Sequence, residues 1–271
     1  MCFIGHGAFG VITKPIWCNY FAVFGIGRSL SYQLMPVVGV IDILCGLIIL
    51  IYPLRAAITW LVIWGAITAL LRPLSGEPFA EFVERAGNFG APLALLILSG
   101  YYRPKQIRNL FVPVGFGILN DTKILKRLVV CLQIIVFLLF LGHGWLNLIE
   151  KKSLVDQYMA LGFVNPGKAA QVIGLLEVIG AFSVLYRPFK PVVLVLFIWK
   201  VTSELFYPQY ELFEWIERGG SYGAVLALWF ALDSVPLFKR NNHFEMRSSF
   251  FNKNNSGHLS YSISNDKDYT K

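Results

Sequence analysis

The stretch "FLGHGWLN" at residues 140–147 closes a leucine-rich run with a histidine between two glycines. The chain opens on nearly the same words, "MCFIGHGAFG" at residues 1–10. Phe3, Gly5, His6 and Gly7 stand 137 positions before Phe140, Gly142, His143 and Gly144. The match extends outward. "GVIDILCGLIILIYPLR" (39–55) lies over "GLLEVIGAFSVLYRPFK" (174–190) at an offset of 135, setting Asp42 against Glu177 and Pro53 against Pro188. Trp64 and Trp199, then Pro73 and Pro208, pair at the same offset. "EFVERAGNFGA" (81–91) lies over "EWIERGGSYGA" (214–224) at an offset of 133, so Glu81, Glu84, Arg85, Gly87, Gly90 and Ala91 recur. Colinear matches with offset changes confined to loops read as an internal repeat.

Composition names the solvent. Of 271 residues, 56% are hydrophobic and 15% charged, with a mean hydropathy of +0.58. A soluble domain carries about 25% charged residues, so the expected environment is a lipid bilayer. Residues 56–71, 86–102 and 128–149 hold no Lys, Arg, Asp or Glu, and 35–54 and 169–186 hold one acid each, Asp42 and Glu177. Runs of roughly 17–25 apolar residues span as helices, because backbone polar groups in lipid must be satisfied within the segment. A transmembrane barrel would instead show alternating segments of about 10 residues. The fold class expected is all-α, a polytopic membrane protein of about 8 helices in two parallel four-helix units.

The domain reading follows. The first unit occupies 1–100, with helices at 1–13, 35–54, 55–71 and 79–100. A linker occupies 101–126. The second unit occupies 127–235, with helices at 127–149, 169–187, 189–206 and 211–232. Residues 236–271 form a polar tail whose composition reads as disordered. Segments 19–27 and 156–164 read as short interfacial helices over the polar layer. Lys and Arg gather in the linker (Arg103, Lys105, Arg108, Lys123, Lys126, Arg127), in the tail, and in the turns at Arg55, Arg187 and Lys190. The positive-inside rule makes that side cytoplasmic, with both termini, in a cell inner (plasma) membrane. The net charge of +8 follows this topology and is not a nucleic-acid footprint. Helix one of the first unit is short: at an offset of 137, Met1 falls on Leu138. About 13 residues cannot span the hydrocarbon, so the first unit reads as truncated. The reading expects a natural start about 10–20 residues upstream, or a shortened gene.

Depth along the helices brings ionisable residues into one layer per unit. In the second it joins His143, Glu177, Glu217 and Arg218; in the first, His6, Asp42, Glu84 and Arg85. Intramembrane ionisable groups are costly and usually face a bundle interior in pairs. Two readings stand at this point: a proton-handling or ligand site, or a polar layer that only fixes helix register. The units differ on helix three, where the second has Lys200 and Glu204 at i,i+4 and the first has Gly65 and Ala69. That extra pair makes the second unit the expected active one. Cys2, Cys18, Cys45 and Cys131 show neither CxxC nor metal spacing, and with only His6 and His143 in helices no haem, iron–sulfur or other metal ligation is expected.

With "GHGAFG", "GVID" and "ERAGN" in one unit and "GHGWLN", "GLLE" and "ERGGS" in the other, the chain resembles the DoxX/DoxD-like superfamily of small membrane proteins, here as two tandem copies covering nearly all of 1–232. The resemblance implies four-helix units and a membrane subunit or accessory of a quinone-linked redox system. It also implies a quinone as cofactor and a soluble redox subunit as partner, beside the bilayer and an oligomer. In that reading His143, Glu177 and Arg218 hold the headgroup. Enzyme status stays open, and two alternatives remain: a small-solute or lipid carrier, and a structural scaffold.

Overall fold

A computed structural model describes residues 1–100, 107–115, 121–205 and 212–234. These residues are all-helical, with one isolated bridge between Leu54 and Pro113. The expected tail lies outside the described residues, as do parts of the expected linker.

The chain runs α1 (Cys2–Val11), α2 (Trp17–Ala22), α3 (Arg28–Ile51), α4 (Arg55–Leu74), α5 (Ala80–Glu84) and α6 (Ala86–Leu98). After a 3-10 turn at Ile107–Phe111 come α7 (Thr122–Leu148), α8 (Lys152–Ala160), α9 (Pro166–Tyr186), α10 (Lys190–Leu205), α11 (Leu212–Glu217) and α12 (Gly219–Ser234). Local signals set the boundaries. Asp121 caps α7 by accepting from the amides of Lys123 (2.8 Å) and Ile124, and Asn165 caps α9 ahead of Pro166 at its first turn. Both satisfy amides that a helix start leaves unpaired.

Four helices, α3, α4, α7 and α9, are long and apolar enough to cross a membrane. Their outward faces are bare hydrocarbon: Val37, Val40, Ile41 and Leu44 on α3 and Val172, Leu175, Leu176 and Ile179 on α9 are exposed. Apolar surface of that extent on a monomer is an interaction face, and here it has the span of a bilayer.

Two departures from the sequence reading position the site. The segments read as continuous helices over 79–100 and 211–232 are each interrupted at an arginine. Backbone ψ at Arg85 is 13°, and the chain resumes through tight bonds from the Asn88 amide to the Arg85 carbonyl and from the Ser221 amide to the Arg218 carbonyl, both 2.9 Å. Secondly, the short pieces cross over. α1 packs on α3 and α7 on α9, but α5 packs on α7 and α11 on α1. Glycine permits both approaches. A Cβ on Gly142 would lie 2.2 Å from the Glu84 amide nitrogen, and one on Gly5 would lie 2.4 Å from that of Glu217. Gly7 and Gly144 let α3 and α9 close in equally near: added Cβ atoms would meet the carbonyl oxygens of Gly39 at 2.4 Å and of Gly174 at 2.8 Å.

Backbone details recur at corresponding positions. Thr13 and Glu150 end α1 and α7 with positive φ, 53° and 51°, and Gly25 and Gly162 do the same after α2 and α8. The Lys14 amide donates to the Phe9 carbonyl and the Lys151 amide to that of Leu146, both at 3.0 Å.

Candidate functional site

Each histidine is held by the acid of the neighbouring helix. His143 Nδ1–H donates to Glu177 at 2.8 Å, and His6 Nδ1–H donates to Asp42 Oδ2 at 2.8 Å. The tautomer follows from the partner, since an ionised carboxylate only accepts. Glu177 and Asp42 are 2% and 0% exposed.

The second site is densely bonded. Glu177 also accepts from Trp199 Nε1 at 2.7 Å and from Asn147 Nδ2 at 3.0 Å. Asn147 Oδ1 in turn accepts from Tyr158 Oη at 2.9 Å. Burial raises the Tyr158 phenol above its usual range, which keeps it a neutral donor. The first site is sparser. Gly10 stands where the second half has Asn147, and Phe21 where it has Tyr158. Trp64 Nε1 and Asp42 Oδ1 are buried without a hydrogen-bond partner among the described residues.

Of the helix-four residues expected in the two layers, Arg85 lines the same cavity as His6, and the acids are exchanged: Glu217 lines the His6 cavity, while Glu84 reaches Lys200 and Arg218. Arg218 Nη1 lies 2.9 Å from Glu204 Oε1 and 3.5 Å from Glu84 Oε1. Arg85 Nη1 lies 3.6 Å from Glu217 Oε1, and its Nε 3.8 Å from Glu81. The two Arg–Glu pairs on helix four are therefore crossed: each arginine meets the carboxylate one residue before the other arginine's position. The packing of α5 on α7 and of α11 on α1 brings Glu84 to Lys200 and Glu217 to the His6 cavity. Lys200, fully buried, bonds Glu204 Oε1 at 2.6 Å and approaches Glu84 at 3.4 Å. This i,i+4 pair faces inward as part of a four-group cluster with no net charge.

A second set of ion pairs centres on Glu81 and Glu214. Glu81, 1% exposed, is met by Arg72, Arg85 and Lys151. Lys151 bonds Glu81 Oε1, and at corresponding positions Lys14 bonds Glu214 Oε1 at 2.7 Å. Tyr20 Oη donates to Glu77 at 2.7 Å, its phenol likewise raised by burial. Sequence reading missed Asn147 and Trp199 as partners of Glu177, and Tyr158 as the donor to Asn147. Asn147 follows His143 by one helical turn, a spacing that was available; the tryptophan and tyrosine contacts depend on tertiary placement.

Against His6 lies a partly enclosed cavity of ≈ 80 Å³, lined by the aromatic side chains Trp17, Tyr20, Phe21, Phe24 and Trp64 and by the polar Arg72, Arg85, Asn88 and Glu217. The His6 ring rests against Trp17 with centroids 4.6 Å apart. Among the described residues no His, Cys, Asp and Glu cluster fits a metal ion. Such a cavity, aromatic-walled with a few convergent polar groups, has the form of a small-molecule site. No protein-family model, curated protein or solved structure matches the chain.

Proposed function

We propose that the chain is a DoxX-like polytopic membrane protein of two tandem, parallel four-helix units and serves as the membrane subunit or accessory of a quinone-linked redox system. The observation that carries this reading is the twinned histidine–carboxylate bond, 2.8 Å in both halves, on acids whose ion-pair partner is a histidine. The fixed cations nearby are engaged by Glu204, Glu84, Glu217 and Glu81. The counter-charge left for Asp42 and Glu177 is a proton, and histidine is the side chain that exchanges protons near neutral pH. Reduction of a bound quinone consumes two electrons, supplied by a soluble redox subunit, and two protons, which such a pair can pass.

The matched left-handed residues, the matched loop bonds and the crossed Arg–Glu pairs support two equivalent units. The basic residues of 101–127 support a cytoplasmic linker and termini in a cell inner membrane, with short α1, α6, α10 and α12 completing a count of eight. A carrier is the second reading, supported by the interruption of helix four at Arg85 and Arg218, since broken helices mark transporter binding sites. Purification from native membranes separates these readings. The redox reading expects about one equivalent of quinone retained per chain and no solute flux into liposomes. Flux without bound quinone identifies a carrier, and neither identifies a scaffold.

A further inference from the structure

We propose that the two halves are unequal, with the cavity beside His6 as the ligand site and the corresponding place in the second half closed by the chain's own Lys200 and Glu204. This reverses the expectation that the second half is the active one.

The argument is one of volume and of unmet hydrogen bonds. Ala69 lines the cavity, and Glu204 stands at the corresponding position 135 residues on. There the carboxylate and the Lys200 amine satisfy one another at 2.6 Å and are completed by Glu84 and Arg218. Trp199 finds its acceptor in Glu177. Trp64, the corresponding indole, does not find one in Asp42, whose side chain is shorter by one methylene. Trp64 lines the cavity and its buried Nε1 has no partner among the described residues, and neither has Asp42 Oδ1. An unmet buried donor is costly, and an acceptor placed in the cavity removes that cost.

The walls define the ligand. Five aromatic side chains favour a flat, largely apolar body. Arg72 and Arg85 in the lining already carry Glu77, Glu81 and Glu217, so the ligand is neutral. It presents an oxygen that accepts from Trp64 Nε1–H. A neutral planar carbonyl headgroup of the quinone class meets these requirements. The proposal rests on the redox reading only for the identity of the headgroup.

The test places a reporter thiol in each half of the full chain, in nanodiscs, with the four native cysteines replaced by alanine. Thr68→Cys lies on the cavity wall, and Ser203→Cys is its counterpart. Labelling by methyl methanethiosulfonate is followed by intact mass, with and without decylubiquinone. Thr68→Cys is expected to label and to be slowed about tenfold by saturating decylubiquinone, while Ser203→Cys is indifferent to it. Adding Ala69→Gln, a neutral filler, abolishes both labelling of Thr68→Cys and its protection; Ala69→Met serves if the first filler does not fold. Failure of Thr68→Cys to label in folded protein, or protection of Ser203→Cys instead, overturns the proposal. Decylubiquinone that binds without protecting Thr68→Cys overturns it and leaves the redox reading standing. Labelling that the fillers block but decylubiquinone does not slow removes the quinone headgroup and upholds the open and closed halves.

Discussion

One methylene separates the two acids that hold the histidines, and it changes what each can reach. Glu177 bonds His143, Trp199 and Asn147 together, whereas Asp42 bonds His6 and leaves Oδ1 without a partner among the described residues. Glu177→Gln keeps the shape and removes the counter-charge. Breaking a buried pair from one side costs about 3–5 kcal/mol, so a large fall in the detergent melting temperature is expected. Glu150→Gln, at an exposed acid, should stay within about 0.5 kcal/mol of wild type. Glu177→Asp should cost about 1–3 kcal/mol by stranding the Trp199 indole, read as a lower melting temperature with altered tryptophan emission. The histidine–acid pairing was legible because both residues stand alone in apolar runs, where each requires a partner. The placement of Glu84 and Glu217 was not, since sequence spacing does not tell which helix α5 and α11 will pack on.

At the scale of the element, glycine decides which helices touch. Gly5 and Gly142 admit the backbone of α11 and α5, and Gly7 and Gly144 admit α3 and α9. The repeated Gly-His-Gly therefore presents a histidine where two helices come close on either side. Gly142→Ala forces a methyl against the backbone at Val83 and Glu84 and should cost about 1–3 kcal/mol through displacement of α5. Gly223→Ala meets nothing within 4 Å and should stabilise α12 by up to about 1 kcal/mol. Thermal unfolding of the two variants side by side checks the opposite signs. The histidine-flanking glycines were visible in the sequence, but the interruption of helix four was not. Glu-Arg-x-Gly is compatible with an unbroken helix, and the turn at Arg85 and Arg218 comes with tertiary contacts.

Across the whole molecule, helix one of each half rests on the start of helix four from the other. The Lys14–Glu214 and Lys151–Glu81 pairs tie these contacts. With a protease site in 101–126, a short bifunctional maleimide should hold the halves together on a denaturing gel for Lys14→Cys/Glu214→Cys and for Lys151→Cys/Glu81→Cys. Halves that separate with both pairs would return helix four to its own unit. The all-helical, membrane-spanning character could be read from the apolar runs, but the cavity could not, because its lining comes from α1, α2, α3, α4, the start of α6 and the end of α11 together with Phe24 and Arg85. The central claim, that a histidine–carboxylate pair serves a quinone headgroup, is tested most directly by titrating the purified full chain with decylubiquinone in nanodiscs. The account predicts saturable binding of about one equivalent, lost in His6→Ala and kept in Glu150→Gln. Absent binding, or binding of equal affinity in His6→Ala, would contradict it.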